Sequence, residues 1–115
     1  MKTLDYLALV AFFLLVVNFE SAAQKVFLCQ YKSEADVKVF VSKYKSEADL
    51  VVFQASYKSE AGNNNGVWFI VNYKSEADKK IFYTHYKSEA DLVVYFTESK
   101  SEAGWKNNSK KNLID

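Results

Sequence analysis

The sequence predicts an all-β fold, a compact domain of six 13-residue units that each join a strand to a corner. A Tyr-Lys-Ser-Glu-Ala-Asp motif, or a close variant of it, begins at Tyr31, Tyr44, Tyr57, Tyr73, Tyr86 and Ser99, at spacings of 13, 13, 16, 13 and 13 residues. Self-similarity at a fixed period marks repeat architecture. The segments between motifs are rich in Val, Ile, Phe and Tyr, the composition of strands. In Val37-Lys38-Val39-Phe40-Val41 the valines alternate with other residues, a two-residue period rather than a helical one.

Residues 1–23 read as a targeting segment ahead of that domain. Lys2 gives a positive start, Tyr6 to Val17 is a 12-residue apolar run, and Ser21-Ala22-Ala23 places small residues at a cleavage site before Gln24. The run is well short of the ~20 residues that cross a bilayer, so no membrane anchor is expected after cleavage. The expectation is an exported chain, secreted or periplasmic. Beyond Ala23 the division is 24–106 for the repeat domain and 107–115 for a polar tail rich in Lys and Asn.

Of the chain's 15 basic residues all but Lys2 lie from Gln24 onward, and of its 14 acidic residues all but Asp5 and Glu20 do, so the remainder is close to neutral. There is no Arg. Interspersed charge without a basic face argues against nucleic acid as a partner. Cys29 stands alone, so no intramolecular disulfide can staple the fold, and its expected role is a small buried hydrophobe.

Within each unit the ninth position reads Val26, Val39, Val52, Trp68, Ile81 and Val94, and the tenth reads Phe27, Phe40, Phe53, Phe69, Phe82 and Tyr95. Neighbours on a strand face opposite sides, so both faces should be covered and the tenth-position aromatics should be core residues in every copy. Lys38 and Lys80, at the eighth position, should lie near strand ends or snorkel. In the corner, Ser33 is expected to cap a helical turn while Asp36 reaches back to the Ser33 N–H, as in a capping box. Gly62 to Gly66 is a turn-forming insertion that accounts for the one long interval, and it is the best single place for a specific contact.

Candidate chemistry is sparse. His85, the only histidine, occupies a variable polar thirteenth position and reads as surface. The carboxylates Glu34/Asp36, Glu47/Asp49, Glu76/Asp78 and Glu89/Asp91 would gather a divalent cation only if the corners met, and capping or pairing with lysines is the simpler role. The invariant tyrosines Tyr31, Tyr44, Tyr57, Tyr73 and Tyr86 point first to packing and second to a stacking platform for flat ligands. Neither phosphate loops nor zinc-ligand pairs are present in the sequence, and no catalytic, cofactor-binding or metal-binding residue is assigned.

The six copies of Tyr-Lys-Ser-Glu-Ala-Asp, ending in Ser99-Lys100-Ser101-Glu102-Ala103-Gly104-Trp105-Lys106, resemble the 7(1) septoil knot domain family of small bacterial proteins over nearly all of residues 25–106. The resemblance implies an all-β chain tied in a deep seven-crossing torus knot, with no established activity and no catalytic residues. Nothing in composition or periodicity shows a knot, and the residues by themselves point to an unknotted solenoid or barrel-like repeat. A doubly wound path puts each strand beside one about three repeats away, the Phe40 strand near Phe82 and the Phe53 strand near Tyr95. The function expected is that of a non-enzymatic secreted structural or interaction protein presenting a rigid repeat surface to a protein or glycan partner. The alternative is a small-molecule or glycan-binding module that uses the repeat tyrosines and the 62–66 loop.

Overall fold

A computed structural model describes residues 24–60 and 64–115, so residues 1–23, where a targeting segment is expected, and Gly62 lie outside the described residues. The strands are β1 (Lys25–Leu28), β2 (Val37–Val41), β3 (Leu50–Gln54), β4 (Val67–Val71), β5 (Lys79–Tyr83), β6 (Leu92–Thr97) and the short β7 (Gly104–Trp105). Their order is β4-β1-β5-β2-β6-β3-β7, and a further β3–β4 pairing closes the first six into a parallel ring. As the half-chain pairing anticipates, β2 lies beside β5 and β3 beside β6.

Strands consecutive in sequence are two places apart in most of the ring. Leu28 of β1 and Val37 of β2 flank the same residue, Ile81 of β5. Val41 of β2 and Leu50 of β3 likewise flank Val94 of β6. Each corner therefore carries the chain across one intervening strand, and the strands circle the ring twice. A plain solenoid, in which each repeat stacks on its neighbour in sequence, does not produce this order. The exception is β3 to β4, which pair directly at Phe53↔Val67 and Gln54↔Trp68 while β7 takes the adjacent place beside Leu50 and Val51.

The core corrects the sequence reading. All six ninth-position residues are fully buried, joined by Val37, Leu50 and Leu92 from the seventh position and by Ile114 from the tail. The tenth-position aromatics are only half-buried. A closed ring has one interior, and alternation along the strand sends the ninth residue into it and the tenth outward. A two-residue stagger then sets each outward aromatic opposite the eighth position of a neighbouring strand: Phe69↔Lys25, Phe27↔Lys80, Phe82↔Lys38, Phe40↔Val93, Phe53↔Val67 and Tyr95↔Val51. Lys25, Lys38 and Lys80 are half-buried there, as snorkelling side chains are.

The corner is a single 3-10 turn, Lys32–Glu34 in the first copy, closed by its own backbone through Glu34 N to Tyr31 O (3.1 Å) and Ala35 N to Lys32 O (3.3 Å). No side chain caps it, so the capping-box reading fails. So short a turn satisfies itself, which frees the aspartate that follows for another strand. The Lys80 N–H donates to Asp36 Oδ2 (2.9 Å) while the Asp36 N–H donates to Lys80 O (2.8 Å). The same two-point clamp joins Asp78 to Lys25, Asp91 to Lys38 and Asp49 to Val93.

Candidate functional site

The corners follow the strand order, so their side chains form a continuous rim. Lys74 reaches Glu34 (2.8 Å), Lys32 reaches Glu89 (3.6 Å), Lys87 reaches Glu47 (3.6 Å) and Lys45 reaches Glu102 (3.8 Å). The hydrogen bond from Lys74 to Glu34 holds the ammonium above its ordinary pKa. Beside this ladder stand Tyr31, Tyr44, Tyr57, Tyr73 and Tyr86, each 63–69% exposed. Packing does not account for their invariance, because a corner that crosses the outside of a strand points its first residue to solvent.

A cleft of about 490 Å³ opens where the ends of β2 and β5 lie side by side. Its walls are the aromatic rings of Phe40, Tyr44 and Tyr83, and its polar edge carries Lys43, Glu47 and His85. Burial alone pushes the Tyr83 hydroxyl up to about 12, so it is a neutral donor at physiological pH. Ser42 Oγ donates to Glu47 Oε2 (2.7 Å) and accepts from the Tyr44 N–H (3.0 Å). That hydroxyl, followed by the nearby Lys87, holds the Glu47 carboxyl below its usual range. Thr84 repeats the arrangement with Glu89 (3.3 Å) and the Tyr86 N–H (3.3 Å).

His85 is exposed, as its variable position predicted, yet it lines this cleft with Lys43, which the spacing alone did not bring together. The missing signal was the double winding, which sets the end of β5 beside the end of β2. Among the described residues no hydrogen bond links His85 to Ser42 or Thr84, whose hydroxyls are turned to Glu47 and Glu89 instead. The arrangement can stack and hydrogen-bond a ligand. Of the candidate carboxylates, the four aspartates lie in strand clamps and Glu34, Glu47 and Glu89 in ion pairs, whereas Glu76 makes no ion pair among the described residues. Cys29 is buried, and burial first, then Glu34, pushes its thiol pKa up, which leaves it a poor nucleophile.

The described residues of the 62–66 insertion, Asn64 to Gly66, serve the ring's closure. Asn64, with φ 48°, is buried and donates from Nδ2 to Lys111 O (3.0 Å), while Trp105 Nε1 donates to Asn64 O (2.9 Å). The tail forms a 3-10 segment, Asn108–Leu113, that delivers Ile114 into the core.

A closed ring of parallel strands joined by crossing corners defines a β-repeat protein. A family model described as 7(1) septoil knot domain matches residues 23–106, and the chain belongs to that family. No curated protein and no solved structure matches it.

Proposed function

We propose that this is a non-enzymatic, exported interaction protein that presents the corner rim as a rigid binding surface. The observation that carries the reading is the exposure of five tyrosines, each in the same place of its copy, four of them (Tyr31, Tyr44, Tyr73 and Tyr86) on corners fixed by aspartate clamps. Exposed tyrosine offers large, amphipathic contact area with few side-chain torsions to freeze on binding. The clamps limit backbone ordering on association, the other entropic cost of binding. Replacing all five tyrosines with Ser should leave the unfolding midpoint near that of the parent chain. It should also abolish photo-cross-linking, from a probe at Lys58, to a single protein partner in the secreting cells. Retained cross-linking in the five-fold variant would sink the rim reading.

A second reading, a small-molecule or glycan-binding module, is favoured by the cleft between β2 and β5 rather than by the insertion, whose Asn64 and Gly66 are buried. A glycan array and a ligand thermal-shift screen separate the two, because a ligand that binds the native state raises its midpoint. Hits lost in His85→Ala and Tyr44→Ala but kept when the other four tyrosines are replaced would favour the cleft.

A further inference from the structure

Gln24 is 5% exposed, and its Oε1 has no hydrogen-bond partner. Trp68 is completely buried, and its Nε1–H has none either. The two residues stand opposite each other. Lys25 pairs with Phe69 and the Phe69 N–H donates to Gln24 O at 3.0 Å, so one step back along both strands sets Gln24 beside Trp68. Gln24 also shares the inward face with Val26, two residues on. Its successor is pinned from both sides, because the Lys25 N–H donates to Asp78 Oδ2 (2.9 Å) and the Asp78 N–H donates to Lys25 O (2.7 Å). Gln24 is thereby held against the ring.

We propose that the exported chain begins at Gln24 and that this residue is cyclised to pyroglutamate, giving a neutral lactam cap on the ring interior beside Trp68. This rests on the export reading, in which Ser21-Ala22-Ala23 is the cleavage site. Cleavage frees the Gln24 α-amine, whose nitrogen attacks Cδ of its own side-chain amide. The N–Cδ bond forms, the Cδ–Nε2 bond breaks, and Nε2 leaves as ammonia with the proton lost from the amine. The step is redox-neutral and needs no co-reactant.

The chemistry answers a physical problem at this position. An uncyclised α-amino group, with an ordinary pKa of ≈ 7.7–8.0, is largely cationic at neutral pH. A cation on so buried a residue is costly to desolvate, and the Asp78 carboxylate at the start of this strand already accepts from the Lys25 N–H. The lactam removes the charge and the primary amide while keeping a carbonyl acceptor on the face that holds the unpartnered Trp68 donor. The main-chain carbonyl remains free to accept from Phe69.

The test is intact and N-terminal peptide mass analysis of the full chain after export. A chain that starts at Gln24 and is one ammonia lighter than its sequence, with no free α-amine, is the expected result. Starting at Gln24 with a free amine overturns the lactam and leaves the export reading intact. A chain that keeps residues before Gln24, or starts after it, overturns the lactam together with the cleavage site on which it rests. Pyroglutamyl peptidase supplies a readout of burial: it should release the cap from unfolded protein and not from native protein. Equal release from the two would overturn the placement against Trp68. Gln24→Ala should be cut at the same bond, carry a free amine, and shift the Trp68 indole N–H resonance, whereas an unshifted resonance would count against the cap.

Discussion

From β1 through β5, β2 and β6 to β3, each junction is held by an aspartate that clamps the strand beside it, and the residues at each step are nearly the same. The closure, where β3 meets β4 and β7, is built from residues that occur once. Asn65 stands four places before Phe69, as Asp36 stands before Phe40, but its Oδ1 accepts from Val67 N of its own strand at 3.3 Å. Gly66 takes the place of the inward Val37, and a Cβ there would lie 2.5 Å from Val51 O and 2.8 Å from Gly104 N. Trp105, Asn64 and Ile114 then fill and tie the gap. Identical units can tile a staggered sheet, but the place where its ends meet admits the extra strand β7 and needs its own side chains.

That contrast can be broken first at the core. Trp68→Ala, which empties the largest fully buried side chain beside the closure, should cost about 3–5 kcal/mol in urea unfolding. Phe82→Ala, on the half-buried outer face of the regular arc, should cost about 1–2 kcal/mol. Equal costs would mean that the outer aromatics form a second core. Next, Gly66→Ala combines φ +88° with overlap against two backbone atoms and should cost about 2–3 kcal/mol. Gly104→Ala also meets a positive φ, +152°, but a Cβ there has open space, so its cost should be smaller. Reversal of that order would place the strain in torsion rather than in contact.

The aspartate clamps should rank third. Asp36→Ala removes one acceptor from a half-solvated strand start and should cost about 1 kcal/mol, with no comparable loss from Asn65→Ala. Asp49 adds a pH signature. Its burial alone would raise the carboxyl pKa, but the Val93 N–H, Asn107 and Lys110 more than offset this and hold it below the ordinary 3.8. A depressed folded pKa gives stability that is present above the unfolded value and lost as pH falls through the folded one. Urea midpoints of the parent chain should therefore fall on the acid side, and Asp49→Asn should flatten that fall.

Much of the ring could be read from the chain before any coordinates. The 13-residue period, the phase kept across the insertion and the family resemblance together set strand number and half-chain pairing. Inside and outside could not be told apart, because Val39 and Phe40 are both apolar and only closure decides which one faces the single interior. The partner of Asp36 was hidden for a related reason: its acceptor role is fulfilled by Lys80, 44 residues away, while a sequence motif reports only local bonds. Ile114 looked like the end of a polar tail, since one aliphatic residue carries no period. The cleft required Lys43 and His85 to be neighbours, which follows from the double winding and from nothing local.

The smallest effect is expected from the feature that looks most like reinforcement, the lysine–glutamate ladder around the rim. Its side chains are about half exposed, so solvent and salt screen each pair and ordering two long side chains offsets most of the attraction. Replacing Lys32, Lys45, Lys74 and Lys87 together with Gln should therefore leave the midpoint in physiological salt unchanged within error, with a small decrease only at low ionic strength. The clamps beneath, formed by backbone and aspartate, remain intact in that variant and keep the corners in place. A large loss in high salt would show that the rim, rather than the clamped sheet, holds the ring together. Unchanged stability with altered partner cross-linking would instead assign the ladder to the rim's charge pattern, which is where an interaction surface has use for it.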